Sequence, residues 1–357
     1  LETSGRNDRG AGMLQGGTPE ATGLWELGFN GTGTVLGTAD SGIDLDHACF
    51  RHALSDVGEP GSEHRKVLVM NTSVHDADQP GQSDYRHGTH TAGTLVCAPV
   101  AWNGSTAPGI GTSLSHGARL VAADIVGPNG WAPPAFDALL AEAALNGAVV
   151  HSHSWGDDTT AYTARSGAVD LWSLEHPWSL AFIAPGNGGS VLEPANARNV
   201  VAVGATTFAQ PTERWVGSPS GPTLADTVGI GLLAPGSSIV SAKADGLPNS
   251  MNEEMRSSSG TSMATPMAAS AAAVLQQMVQ DGVFRNHTEA TAEADLNESR
   301  PTWSSSNVEG MAHAGEGWVP SGALLRALLT LAATPLAPEQ EGSGATGGLT
   351  NPQDGWG

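Results

Sequence analysis

Short apolar runs alternate along this chain with helix-length stretches of small residues, and the two patterns predict different elements. Thr34–Ala39 is apolar without polar alternation and ends at Asp40, so it reads as a parallel strand covered on both faces. Ala118–Ile125, Leu180–Ala184 and Asn199–Val203 read the same way, and Ala148–Val150 begins a strand leading into His151–Gly156. Between them fall a small-residue helix from His87 to Cys97, stopped near Pro99, and an Ala/Leu-rich helix from Ala135 to Leu145. A long helix with an Ala/Ser/Met face runs from Ser262 to about Gln280, and a last one covers Ser321–Leu329, capped by Ser321. Alternating strands and helices predict an α/β fold, a three-layer sandwich whose central, mainly parallel sheet has helices on both faces. Ligands then bind at the carboxyl ends of the strands, where Asp40 lies. Residues 282–319 are polar and aperiodic and predict an insertion loop within a single domain spanning 1–357.

The chain has 357 residues, ample for a sizeable core, and a formal charge of −21. That charge excludes nucleic-acid phosphate as a partner, since counterion release needs clustered Lys and Arg. Lys66 and Lys243 are the only lysines, and the arginines are scattered. Solubility is one reading of the acidity and adaptation to salty water another. No apolar run reaches the ~18–20 residues needed to cross a bilayer, so no membrane partner is expected. The sequence starts at Leu1 with no charged, apolar leader, and any secretory signal or pro-segment is expected to lie outside it. Two cysteines, Cys49 and Cys97, follow Asp40 and His87 by nine and ten residues. Counting alone leaves free thiols, a metal pair or one disulfide open.

The chemistry concentrates in three motifs. Gly260-Thr261-Ser262-Met263-Ala264-Thr265-Pro266 sets a serine among small residues where a helix begins, so unpaired N–H groups face a developing oxyanion. Upstream lie Asp40-Ser41-Gly42-Ile43 and His87-Gly88-Thr89-His90-Thr91-Ala92-Gly93. Asp, His, Ser is the chain order of subtilisin, distinct from chymotrypsin and the α/β-hydrolases. On these motifs the chain resembles a subtilisin-like serine protease, a subtilase. The resemblance implies that Ser262 is the nucleophile, that His87 takes its proton and that Asp40 orients His87. It also implies that Asn187, in Ala184-Pro185-Gly186-Asn187-Gly188, donates to the oxyanion beside the Ser262 N–H. Pro185 stands where the family has a small residue.

By the same resemblance Ser154-Trp155-Gly156 pairs with an extended substrate, although Trp155 also reads as buried core. The Ser190–Asn199 stretch forms the floor of the pocket for the side chain preceding the cut bond. Leu192 is expected to make that pocket shallow, and Glu193 to favour a basic or small residue there. The resemblance brings Cys49 and Cys97 together as a disulfide, in keeping with a secreted, extracellular protein. Ala184, Pro185 and Gly186 complete the expected substrate strip. No cofactor is expected for catalysis, and structural calcium is implied, with Asp44, Asp46, Asp157 and Asp158 as candidates by residue type. His90 is structural by resemblance, since the metalloprotease glutamate is absent. His151 and His153 share a strand face, but no third ligand for zinc lies beside them in sequence. Asn71, Asn103 and Asn286 lie in glycosylation sequons. The Pro320–Leu325 helix start and the closing Gly355-Trp356-Gly357 resemble the subtilase branch that a C-terminal β-sandwich domain follows. The implied protein is a monomeric, secreted serine endopeptidase acting on proteins or peptides through an acyl-enzyme. A serine-carboxyl peptidase would lack the His87 motif, and a catalytically dead binding module would not need every motif residue.

Overall fold

Uninterrupted burial sets the frame of the molecule. In the computed structural model, residues 5–74, 86–100, 111–127, 129–207, 213–284, 317–334, 336 and 355 are described. Every residue of β2 (Val35–Asp40) is buried, as a strand covered on both faces requires. Before it come a two-residue strand β1 (Gly5–Arg6) and the helices α1 (Asn7–Gly16) and α2 (Gly23–Glu26). After it come β3 (Val67–Asn71), α3 (His87–Val96), β4 (Arg119–Asp124) and a small hairpin, β5 (Val126–Gly127) with β6 (Gly130–Trp131). Next are α4 (Phe136–Leu145), β7 (Val150–His153), α5 (Ala164–Glu175), β8 (Leu180–Ile183) and β9 (Val201–Thr206). The described elements close with β10 (Leu232–Pro235), β11 (Ile239–Ala242), β12 (Met255–Ser258), α6 (Thr261–Gln280) and α7 (Gly322–Ala332).

Seven strands form one parallel sheet in the order β10-β9-β8-β7-β2-β4-β3. The strand order reverses beside β2, so the carboxyl ends of β2 and β7 flank a switch point of the kind that hosts ligands in open α/β sheets. Helices α3 and α6 pack together on one face, while α4 and α5 pack together on the other. The three-layer α/β reading is therefore right. Small residues make the close layers possible: a Cβ on Gly37 would lie 2.6 Å from that of Ala143 on α4. A second sheet, β1-β11-β12, lies against α3.

Differences from the sequence reading have physical causes. Helix α1 carries Gly10, Gly12 and Gly16 and has poor intrinsic propensity. It is held by tertiary bonds, since the buried Asn7 amide donates to Gly93 O at 3.1 Å and Ser241 Oγ at 2.9 Å. In α5 only Ser166, Val169 and Trp172 are buried, a stripe too narrow to stand out in sequence. Strand β9 begins two residues later than expected and runs to Thr206. Ser321 caps α7 as expected, accepting from Leu324 N at 3.1 Å. Most of the expected 282–319 loop, residues 285–316, lies outside the described residues, as do Asn103, Asn286 and Trp356.

Cys49 and Cys97 are joined as a disulfide, both fully buried, with Cα atoms 4.5 Å apart. The bond ties the segment that follows β2 to the end of α3, and so links the two stretches that carry Asp40 and His87. It closes a sequence separation of 48 residues, which chain entropy makes worth about 4 kcal/mol. Reducing it, or replacing Cys97 by Ala, should lower the denaturant midpoint by an amount equivalent to roughly 2–4 kcal/mol, measured by unfolding with and without reductant. An unchanged midpoint would show the bond adds nothing to stability.

Candidate active site

Three adjacent strand ends converge. Asp40 is the last residue of β2. Thr38 of β2 stands opposite Ser152 of β7, and continuing that register by two residues sets Asp40 level with Ser154. His153 stands opposite Ile183 of β8, and Ala184 N donates to His153 O at 3.0 Å, which brings the Ala184–Asn187 turn to the same edge.

Asp40 is buried at 3% exposure, and a buried carboxylate needs donors. It has three: His87 Nδ1 at 2.7 Å and Ser41 N at 2.8 Å on Oδ1, and Thr91 Oγ1 at 3.2 Å on Oδ2. His87 and Thr91 are one turn apart at the start of α3, so a single helix end presents both. Donation through Nδ1 fixes the tautomer and leaves Nε2 as the basic nitrogen. No side chain of its own caps α3; Ser41 Oγ accepts from Gly88 N at 2.9 Å instead. A Cβ on Gly88 would lie 2.2 Å from Gly42 O, which is why glycine follows the histidine.

Ser262 occupies the second position of α6. Pro266, one turn later, has no N–H to give the Ser262 carbonyl. Ser154 Oγ donates to that carbonyl at 2.8 Å, and the Ser262 hydroxyl donates to Ser154 O at 3.1 Å. Ser262 is thus clamped to the residue level with Asp40. The structure pairs His87 with Asp40 directly, while the hydroxyl of Ser262 is turned towards Ser154. Asn187 sits beside the same helix start, its Oδ1 accepting from Thr261 N at 2.9 Å. Thr261 Oγ1 also donates to Gly186 O at 2.8 Å. With its oxygen held, the amide has Nδ2 left to donate.

The remaining expected residues divide. Ser154, Ala184 and Pro185 are buried, and Gly156 is exposed at the rim. Trp155 is a core side chain at 7% exposure, packed on Phe136 at 5.5 Å between ring centres with Arg165 over its ring at 5.3 Å. Leu192 lies against Gly186, where a Cβ would meet its Cδ1 at 2.7 Å. Glu193 corrects the sequence reading. Its carboxylate is buried and accepts from Thr163 Oγ1 and from Ser166 N at 3.0 Å. It is turned to the N-terminus of α5, where a negative charge meets the orphan N–H groups, and does not select a substrate side chain.

The calcium candidates do not fit a cation. Asp44 Oδ2 accepts from Asn252 Nδ2 at 2.7 Å and Asp245 N at 3.2 Å, and Asp46 Oδ2 accepts from Ser250 N and Met251 N. Those oxygens face N–H donors, the wrong polarity for a metal shell. Burial, then the neighbouring Asp46 charge, hold the Asp44 carboxyl well above the usual range. Asp157 pairs with Arg165 at 2.8 Å, and Asp158 is exposed. Among the described residues no three His, Cys, Asp or Glu are grouped to hold a metal. His90 is structural, its Nε2 set against Ile239 O at 3.1 Å and Arg256 O at 3.2 Å.

One residue at the site escaped the sequence reading. Trp131, on the β5–β6 hairpin, stands edge-on to the His87 ring at 6.2 Å and 6.3 Å from Trp155. The signal was an aromatic directly after the sequence Gly127-Pro128-Asn129-Gly130, which local pattern alone assigns to no site.

Comparison with known proteins follows the geometry. The model of the subtilase family matches residues 31–341. Bacillopeptidase F of Bacillus subtilis (strain 168) is 27% identical over 72% of this chain and 18% of its own length. Subtilisin-like protease 1 of Arthroderma gypseum is 30% identical over 70% of this chain and 44% of its own. The chain spans 10–18% of the first curated relatives it matches, which begin with a Dictyostelium discoideum serine protease/ABC transporter B family protein, tagD. The prenylagaramide maturation protease PagA superposes with a TM-score of 0.58 at 22% identity, covering 89% of each chain. The protease domain of PatA gives 0.54 at 24% identity over 71% of this chain and 83% of that one. These two likenesses concern the fold.

Directly beneath the site, His151 and His153 are buried on β7 with no hydrogen-bond partner for any of their four ring nitrogens among the described residues. Burial pushes both down to about 3, so both are neutral in the fold. The unfolded chain binds protons near the ordinary value of 6.5, so stability is intact above pH 6.5 and is lost as pH falls from 6.5 towards 3. At pH 4.5 the loss should be on the order of 2–3 kcal/mol per histidine. His153→Leu should flatten the fall in denaturant midpoint between pH 7 and 4.5; an unaltered slope would show that this histidine does not contribute.

Proposed function

Because the chain belongs to the subtilase family, we infer that it is a secreted serine endopeptidase working through Asp40, His87 and Ser262. The observation that carries this reading is the Asp40–His87 pair, 2.7 Å apart with its carboxylate buried, held level with the residue to which Ser262 is bonded. In the proposed reaction the Ser262 hydroxyl turns from Ser154 O to His87 Nε2, and its oxygen attacks the scissile carbonyl. His87 accepts the proton, and Asp40 stabilises the imidazolium without itself being protonated. The oxyanion is held by Asn187 Nδ2 and the Ser262 N–H at the positive end of α6. His87 returns the proton to the leaving amine, and water hydrolyses the acyl-enzyme by the same steps in reverse order.

Substrate pairs as an added strand with the backbone of Ser154–Gly156 on one side and Ala184–Gly186 on the other. The side chain before the cut bond meets Leu192, which suits small residues. The disulfide fits an oxidising compartment, and the charge of −21 fits a soluble monomer acting on proteins or peptides. No step uses a metal.

Ser262→Ala should abolish labelling by a fluorophosphonate probe and clearing of casein, and undiminished labelling would show that another residue is the nucleophile. Asn187→Ala should lower kcat by roughly 10²–10³, the loss known for one oxyanion donor in subtilisin, with KM little changed. Leu192→Gly should raise kcat/KM for a peptide with Phe before the cut relative to one with Ala, by about tenfold; an unaltered ratio in a peptide-library profile would remove Leu192 from the pocket.

A further inference from the structure

Two neighbouring residues join the two sides of the cleft. Leu192 N donates to Pro185 O at 3.0 Å, on the Ala184–Gly186 side. Glu193 belongs to the other side, just beyond Ser154–Gly156. Its N–H donates to Thr159 O and its carbonyl accepts from Asp157 N, both at 2.9 Å. These bonds form an isolated bridge, a single rung about which a loop can still swing. The carboxylate adds a third attachment, accepting from Thr163 Oγ1 and from Ser166 N at 3.0 Å. We propose that Glu193 is a positioning residue: its carboxylate locks both sides of the cleft to the first turn of α5 and so fixes the gap that takes the side chain before the cut bond. The inference deepens the protease reading and rests on it.

Burial and the helix end complement each other here. Glu193 is 2% exposed, and a buried carboxylate is tolerable only against donors. Ser166 N is an orphan donor of the first turn of α5, and the Thr163 cap accepts from Arg165 N instead. Glu193 supplies the acceptor that Ser166 N lacks within the helix, and the positive helix end favours its charge. The same turn holds both loops. Arg165 pairs with Asp157 at 2.8 Å and lies over the Trp155 ring. Ser166 Oγ donates to Asn196 Oδ1 at 2.6 Å, and Asn196 Nδ2 donates to Thr160 O and Ala161 O. Asn196 N in turn donates to Leu192 O at 3.1 Å. Close packing passes any shift on to the cleft. A Cβ on Gly156 would lie 2.3 Å from Glu193 O, and one on Gly186 2.7 Å from Leu192 Cδ1. Glu193 touches no substrate atom and acts through Gly156 and Leu192.

The test measures KM and kcat of the full chain on two peptides, one with Ala and one with Phe before the cut. Active sites are counted with a fluorophosphonate probe, so that only folded enzyme enters kcat. Glu193→Leu should raise KM for the Ala peptide about tenfold, change kcat less than about threefold and cut the Ala-over-Phe preference about fivefold. Glu193→Gln keeps an oxygen for Ser166 N and Thr163 Oγ1, and its KM and preference should stay within about twofold. Thr163→Val removes one bond from the far side of the contact and should raise KM roughly two- to fourfold. An unchanged KM and preference in Glu193→Leu overturn the proposal, even where the melting temperature falls, because Glu193 is then a structural residue alone. A Gln variant as impaired as the Leu variant overturns it too, since the accepting oxygen is then irrelevant. Should Glu193→Leu fail to fold, Thr163→Val decides, and an unmoved KM there overturns the proposal. An unaltered protein that the probe does not label and that cleaves neither peptide instead brings down the protease reading, and the inference with it.

Discussion

A carboxylate buried at the end of a parallel strand is the constraint on which the site depends. Asp40 is almost wholly removed from water and is tolerable only because donors converge on it from its own chain and from α3. That requirement fixes where α3 begins and which way His87 faces. Since the sheet is parallel, β7 and β8 deliver Ser154 and Asn187 to the same edge. The helix that carries Ser262 is bonded to both residues. The charge at Asp40 and the register of three strands therefore position groups far apart in sequence.

Close packing is the second condition. Small residues recur wherever layers meet: Gly88 under Gly42 O, Gly93 against Ser241 and Ala242, Gly236 against Ala264. These contacts let α3 and α6 approach the backbone of neighbouring segments. The disulfide adds a covalent tie between the stretches that carry Asp40 and His87. Arg65 strengthens this corner, its guanidinium donating to the carbonyls of Arg51, Ala98 and Ala48 and so tying three loop oxygens to one side chain.

Resemblance carried some residue types further than this chain takes them. Glu193 sits where a pocket floor is expected, yet its carboxylate serves the start of α5. Asp44 and Asp46 look like cation ligands in sequence, but backbone and amide N–H groups occupy them. Such reversals share one cause. A carboxylate's partner is decided by which loop folds over it, and residues 157–166 and 245–252 come from elsewhere in the chain.

What the sequence determined by itself was local and strongly patterned. Continuous apolar runs declared β2, β4 and β8, helix-length stretches of small residues declared α3 and α6, and the motifs around Asp40, His87 and Ser262 declared the chemistry that the family match supports. Burial on both faces leaves little freedom in such segments. Tertiary structure alone decided the rest: α1 is held by Asn7 against its own propensity, Trp131 is brought to His87 by a hairpin, and the Ser262 hydroxyl is turned to Ser154. Each of these depends on partners many residues away, and a side chain's direction follows from the contact it finally makes.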